Sequence, residues 1–130
     1  MRLAGKSAIV VGACQTPGET VGNGRAIALL FAREGADVVC VDRQLDRAQE
    51  TVAMIEAEGG RAAAFAANIV RAEDCAAMVE AAKARFGAVD IVVNNVGIGG
   101  GGDGPAHRLT EDAFDRILAV NLKGAWQVGK

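Results

Sequence analysis

The sequence is poor in the residues that carry much of enzyme chemistry. Its 130 residues include no tyrosine, one histidine and two prolines, and aromatic residues make up 4 %. Without tyrosine, the chain has no phenol that could act as a general acid or base. The single histidine, His107, follows Pro105 in a segment that offers no partner to orient its ring, so we predict a surface loop there.

Further absences restrict the class of protein. No apolar run approaches the roughly 20 residues that span a bilayer, and the start of the chain does not resemble a signal peptide. Three widely spaced cysteines (Cys14, Cys40 and Cys75) fit neither a disulfide framework nor a zinc site. A net charge of −2 with interspersed signs gives no support for nucleic-acid binding. We therefore predict a soluble, cytoplasmic protein with no metal site and no membrane or nucleic-acid partner.

Strand-like and helix-like patterns alternate along the chain. Short β-branched or apolar runs predict strands over 7–11, 37–41, 62–67 and 89–93. Helical periodicity that ends at glycine predicts helices over 24–34, 46–58 and 72–86, with Ile27, Leu30 and Phe31 on the core-facing stripe of the first. This alternation predicts one three-layer α/β domain, a parallel sheet between helices, with its ligand crevice beyond the carboxyl ends of the strands.

The C-terminal part of the sequence predicts one more helix. Thr110 is a candidate N-cap, and acidic residues follow it in the first turn. An apolar stripe then predicts the packed face of this helix: Phe114, Ile117, Leu118, Leu122 and, by extension, Trp126. The glycine-rich segment 97–104 before it is either a loop over a ligand site, which we favour, or a linker.

A glycine turn follows the first strand. Gly12 precedes Gly22-Asn23-Gly24, which opens the first helix, and glycines there let backbone approach a diphosphate at a helix N-terminus. Nine residues separate Gly12 from Gly22, among them Pro17, Gly18 and Glu19. Such a turn also serves plain chain reversal, so by itself it is weak evidence for a cofactor.

A carboxylate ends the second strand. Asp42 lies 18 residues after Gly24, near the roughly 20 expected for an acid that binds the adenosine ribose hydroxyls. The alternative is a solvated aspartate at a strand end. As a cofactor ligand, Asp42 favours NAD over NADP because it would repel a 2′-phosphate, although neighbouring Arg43 could partly compensate.

Two asparagines follow the fourth strand. Asn94-Asn95-Val96-Gly97 resembles the Asn-Asn-Ala-Gly motif of the short-chain dehydrogenase/reductase family, and 120–124 (VNLKG) resembles its helix motif. This resemblance implies a partial Rossmann-type sheet of strand order 3-2-1-4 that binds a nicotinamide dinucleotide. It also implies that Asn121 supports a catalytic proton relay and that Asn68, where the family more often has an aspartate, lies with Ile69 near the adenine ring.

The glycine turn departs from the family motif, since it is six residues longer than Gly-x-x-x-Gly-x-Gly. The family also implies a catalytic serine and a catalytic Tyr-x-x-x-Lys motif, and this chain contains neither of them. Trp126 and Lys130 have the spacing of that last pair, but an indole does not titrate usefully, so we interpret Trp126 as packing and Lys130 as a chain end.

The resemblance implies the NAD(H)-binding part of an oxidoreductase that transfers a hydride to or from alcohol and carbonyl substrates. We expect the chain, truncated before the catalytic residues, to be inactive alone. One alternative is a non-catalytic dinucleotide-binding or self-associating module, since an uncovered fourth strand would tend to pair and form a homo-oligomer. Another is a divergent enoyl-carrier-protein reductase, suggested by the long turn; Asn94 to Gly97 disfavours it.

Overall fold

The computed structural model describes residues 1–13, 22–95 and 104–129, and within these ranges four strands alternate with five α-helices. The strands are β1 (Ser7–Val11), β2 (Asp37–Asp42), β3 (Ala62–Ala66) and β4 (Ile91–Asn94). The helices are α1 (Asn23–Arg33), α2 (Leu45–Ala57), α3 (Ala72–Phe86), α4 (Glu111–Leu118) and α5 (Ala125–Gly129), with a π-helical turn (Ala119–Gly124) between the last two.

The sheet is parallel, as the alternation of elements predicts, and has the strand order β3-β2-β1-β4, as the family resemblance implies. Strand β1 is central: its Val11 lies opposite Val41 of β2 on one side and opposite Asn94 of β4 on the other. The carboxyl ends of three strands therefore meet at one edge. This is a Rossmann-type α/β sheet, and that edge is where its ligand crevice is expected.

Alternation along the buried strands produces two core layers. Successive side chains of β1 point to opposite faces, so Ile9 and Val11 pack with Met78 of α3 on one side. Val10 packs with Leu29 of α1 and Ile55 of α2 on the other. Helices thus cover both faces of β1 and β2, and every residue of β1 is buried. This explains why the strands read as continuous apolar runs.

Element boundaries agree with the predictions to within about two residues. Helix α3 spans the predicted residues, and Gly87 ends it with a left-handed φ of 85°. Strand β4 begins two residues later than predicted. Asp90 lies just before it and binds Ser7 instead: the Asp90 N–H donates to the Ser7 carbonyl, and an Asp90 carboxylate oxygen accepts from the Ser7 N–H, both at 2.9 Å.

The predicted core face of α1 is partly wrong. Leu30 is exposed and Ile27 and Phe31 are only half-buried, whereas Ala28 and Leu29 are buried against the sheet. The reason is steric. The small residues Gly24 and Ala28 let the helix backbone lie close to β1 and β2, and this rotates the bulkier stripe towards the rim.

The predicted packed face of the last helix is wrong. Phe114, Leu118, Leu122 and Trp126 are 41 to 66 % exposed, and Ile117 is half-buried. The buried side consists of Ala113, Gly124, Gln127 and Val128. Gly124 lies against Ile69, since a Cβ built on it would come within 2.7 Å of the Ile69 side chain. The helix therefore docks through its small residues and leaves the apolar stripe outside.

Within the described ranges, no helix is both long and apolar enough to cross a membrane.

Candidate functional site

Gly12, Gly24 and Asn95 meet at the carboxyl edge of the sheet. Gly12 follows β1 with a left-handed φ of 79°, which favours glycine. A Cβ on Gly24 would overlap the Gly12 carbonyl oxygen and would lie 2.8 Å from Nδ2 of Asn95. Asn95 Nδ2 also donates to the Gly12 carbonyl at 3.4 Å. Gly12 is therefore required by its backbone conformation and Gly24 by close contact, and Gly12 is anchored to the residue after β4.

The start of α1 is suited to an anion. Gly22 is its N-cap residue and, as a glycine, offers no capping side chain; Asn23 is its first residue, and the first turn carries no acidic residue. The N–H groups of a first helical turn are the ordinary ligands of a phosphate oxygen. Cys14 and the residues Pro17, Gly18 and Glu19 of the predicted long turn lie outside the described residues.

Asp42 ends β2 at the same edge. Its Oδ2 accepts the Gln44 N–H at 2.9 Å, and its carbonyl accepts the Ala67 N–H. A cleft of about 330 Å³ beside it is lined by Asp42, Arg43, Gln44 and Arg47. The predicted residues Asp42 and Arg43 thus face one cleft. Arg47 was missed, although its position in the first turn of α2, four residues after Arg43, could have indicated it.

Asn68 and Ile69 follow β3 at the same edge of the sheet as Asp42. The Asn68 N–H donates to Asp74 at 2.8 Å, and its Oδ1 accepts the Val70 N–H at 3.2 Å, which fixes the loop before α3. Ile69 is buried and its carbonyl accepts from Gln127 Nε2 at 3.1 Å. The loop predicted to lie near an adenine ring is therefore held by α3 on one side and α5 on the other.

The two asparagines after β4 tie neighbouring elements together, as their sequence position predicts. Asn94 Nδ2 donates to the Ala125 carbonyl at 3.4 Å and Asn95 Nδ2 to Gly12, and the Asn95 N–H donates to the Val11 carbonyl at 3.2 Å. The predicted site residues Val96 and Gly97, and the glycine-rich residues up to 103, lie outside the described residues.

Asn121 lies in the π-helical turn between α4 and α5 and is exposed. The sequence predicts a continuous helix here, and a single π-helical turn is a common feature of functional sites. Thr110 is the N-cap of α4, as predicted, because its hydroxyl accepts the Ala113 N–H at 3.2 Å. His107 is exposed, and Lys130 lies outside the described residues.

A buried polar group escaped the sequence analysis. Arg25 of α1 and Thr51 of α2 are both buried, and Arg25 Nε donates to Thr51 Oγ1 at 3.0 Å. Thr51 in turn donates to the Ala13 carbonyl at 2.7 Å, next to the glycine turn. Arg25 immediately follows Gly24 in the sequence, and this position next to the glycine turn could have indicated a role for it.

The described cysteines offer no nucleophile. Cys40 and Cys75 are buried free thiols, burial raises the pKa of Cys40 to about 12, and burial together with neighbouring Asp74 raises the pKa of Cys75. Both thiols stay protonated near neutral pH. Among the described side chains, no cluster of His, Cys, Asp or Glu could hold a metal ion.

Comparison with known proteins agrees with this geometry. The family model described as short chain dehydrogenase matches residues 6–130. An uncharacterized oxidoreductase of Bacillus subtilis (strain 168) is 36 % identical over 129 residues, covering 99 % of this chain and 45 % of that protein. A 3-oxoacyl-[acyl-carrier-protein] reductase of Thermotoga maritima is 33 % identical over 128 residues, covering 98 % of this chain and 49 % of that protein.

A crystal structure of a metagenomic short-chain oxidoreductase in complex with NADP superposes with a TM-score of 0.86 at 32 % identity, covering 98 % of this chain and 55 % of that one. The chain belongs to the short-chain dehydrogenase/reductase family. It spans about half the length of the relatives it matches.

Proposed function

We propose that this chain is the nicotinamide-dinucleotide-binding part of an oxidoreductase. The observation that carries the proposal is the meeting of Gly12, Gly24 and Asn95, where two glycine backbones lie in close contact at a helix N-terminus beside the carboxyl ends of β1 and β4. The about half-length match to family members supports a single domain of a longer protein. The buried free thiols support a reducing compartment, the cytoplasm.

In this proposal each part of the edge holds one part of the cofactor. Gly12, Gly22, Asn23 and Gly24 take the diphosphate, Asp42 with Arg43 the adenosine ribose, and Asn68 with Ile69 the adenine. Asn94, Asn95, Val96 and Gly97 take the nicotinamide ribose. The proposal predicts that Gly24→Ala abolishes binding, because a methyl group there meets backbone, whereas Gly129→Ala, with open space around its Cβ, leaves binding unchanged.

We propose NAD rather than NADP as the cofactor. The half-buried carboxylate of Asp42 lies in the cleft and favours ribose hydroxyls over a 2′-phosphate. Arg43 and Arg47 line the same cleft and act in the opposite sense. The balance is tested by titrating NADH and NADPH against the chain by fluorescence: NADH should bind more tightly, and Asp42→Asn should narrow the difference roughly tenfold.

A matched control for that titration is Asp46→Asn, which removes an exposed carboxylate from the first turn of α2 without touching the cleft. It should leave the NADH to NADPH ratio within about twofold of the unmodified chain. Tighter binding of NADPH by the unmodified chain would overturn the NAD assignment while leaving the dinucleotide site intact.

For the complete protein we propose interconversion of alcohol and carbonyl compounds. The bound nicotinamide would supply or accept the hydride. Asn121, at the π-helical turn, would support the proton relay by hydrogen bonding. The chain has no tyrosine to hold the proton itself, so we expect the 130-residue chain to be inactive. Reduction of NAD by the purified chain with any alcohol would contradict this.

Self-association is a second proposal, favoured by a separate observation. Among the described strands β4 pairs with β1 alone, α5 contacts β4, and the helical segment from α4 to α5 exposes an apolar stripe. We propose a second copy of the chain as the partner. Light scattering should show a homo-oligomer that Leu122→Glu dissociates; a monomer at all concentrations would exclude it.

A further inference from the structure

The buried pair Arg25 and Thr51 joins the two ends of the glycine turn. Arg25 directly follows Gly24, the exit of the turn, and Ala13 directly follows Gly12, its entrance. Thr51 of α2 lies between them and contacts both, at 3.0 Å to Arg25 Nε and 2.7 Å to the Ala13 carbonyl. One hydroxyl therefore connects two points that are twelve positions apart in sequence.

The direction of these hydrogen bonds follows from the donors available. A guanidinium only donates and a carbonyl only accepts, so the Thr51 oxygen must accept from Arg25 and its single proton must go to Ala13. The entrance is held from its other side as well, because the N–H groups of Gly12 and Ala13 both donate to the Val41 carbonyl, at 2.8 and 3.2 Å. Ala13 is thus fixed at both its N–H and its carbonyl.

Folding alone does not account well for this arrangement. Arg25 is 7 % exposed, and burying a guanidinium is costly unless it is well paired. Its carboxylate partner Glu50, at 3.1 Å, is mostly exposed and therefore screened by water. An apolar pair would fill the space between α1 and α2 without that cost. The polar pair instead supplies a fixed connection to the backbone of the turn.

We propose that Arg25 and Thr51 are positioning residues that hold the base of the glycine turn in the shape that binds a diphosphate. The proposal rests on the proposed dinucleotide-binding function. Because the turn is six residues longer than the family motif, its two ends are less constrained by chain length, and a connection across its base replaces that constraint. Neither residue touches the cofactor; both act through Ala13 and Gly24.

The test uses two substitutions of Thr51. Thr51→Val keeps the shape of the side chain and removes the hydroxyl, whereas Thr51→Ser keeps the hydroxyl. NADH affinity, measured by fluorescence titration, should fall at least tenfold in Thr51→Val and stay within threefold of the unmodified chain in Thr51→Ser. Ile55→Val, one turn further along α2 and buried, is the matched control for general loss of packing.

Ile55→Val should lower the urea midpoint without changing NADH affinity. Equal affinity in Thr51→Val and the unmodified chain, or equal loss in Thr51→Val and Ile55→Val, would overturn the proposal. A second readout needs no cofactor: amide hydrogen exchange at Gly12 and Ala13, whose N–H groups donate to the Val41 carbonyl, should accelerate in Thr51→Val and not in Ile55→Val. Unchanged exchange would overturn the positioning role even if the unmodified chain fails to bind NADH, which would instead refute the proposed function.

Discussion

The part of the sheet formed by β1 and β2 (the covered side) and the part formed by β4 (the β4 side) differ in how completely helices cover them. Strands β1 and β2 are buried on both faces, with α1 and α2 above and α3 below. Strand β4 is alternately half-buried and exposed, and the helical segment beside it carries four large apolar side chains on its outer face. The covered side behaves as a finished core, while the β4 side presents surface suited to further contacts. Stability should therefore depend on the first side and association on the second.

Replacement of Met78 and of Leu122 by alanine should separate the two sides most clearly. Met78 of α3 is fully buried in the core, so Met78→Ala should cost about 3 kcal/mol of unfolding free energy in urea. Leu122 is the most exposed residue of the apolar stripe, so at dilutions where the proposed oligomer is dissociated Leu122→Ala should stay within about 0.5 kcal/mol. Similar losses in the two variants would show that the stripe is buried in solution.

Gln127 links the two sides, and its replacement should have the next largest effect. Gln127→Leu removes the hydrogen bond from α5 to the Ile69 carbonyl, which still accepts from Cys75 Sγ at 3.6 Å. We expect a loss of about 1.5 kcal/mol, measured by urea unfolding. Gln49→Leu, an exposed glutamine on α2, is the matched control and should change little. Equal effects would mean that α5 is not anchored there.

Substitutions of Thr110, the N-cap residue of α4, test how well this helix is ordered on the β4 side. Thr110→Ala removes the hydrogen bond to the Ala113 N–H and should cost about 1 kcal/mol, whereas Thr110→Ser should restore most of it. Helix content by circular dichroism and urea unfolding would measure both. If Thr110→Ala leaves the free energy of unfolding unchanged, α4 unfolds independently of the sheet.

The ion pair between Arg33 and Glu58, on the covered side, should give the smallest effect. The hydrogen bond from Arg33 lowers the pKa of Glu58 in the folded chain. Its contribution is therefore present above the ordinary glutamate pKa and lost as pH falls through the lowered one. Glu58→Gln should differ slightly from the unmodified chain at pH 7 and converge with it below pH of about 4. A difference that persists at acidic pH would rule out this ionic origin.

The sequence predicted the elements better than their orientation. Continuous apolar strands and helix-ending glycines such as Gly87 are local signals, so the type and limits of the elements could be inferred from them, whereas the strand order came from the family resemblance. Which face of a helix packs is decided by its partner. Gly24 and Gly124 bring their helices close to β1 and Ile69, and this turned Leu30 and Leu122 outward against the periodicity.

The residues of the candidate site also divide into those that the sequence could predict and those that it could not. Gly12, Asp42 and Asn95 follow strands, and the ends of parallel strands meet at one edge whatever the detailed packing. Arg47, Arg25 and Thr51 lie within helices, where a polar residue usually faces water. Only the three-dimensional arrangement brings Arg47 to the cleft and Thr51 to Ala13.

The pairing of β4 with β1 determines when the candidate site can form during synthesis of the chain. Strands β1, β2 and β3 are complete by residue 66, and β2 pairs with both β1 and β3. The contact of Asn95 with the Gly12 carbonyl joins residues 83 positions apart, so it must form after the rest of the sheet has left the ribosome. A nascent chain with only three strands therefore has no complete crevice, and a dinucleotide would stabilise only chains in which the fourth strand has docked.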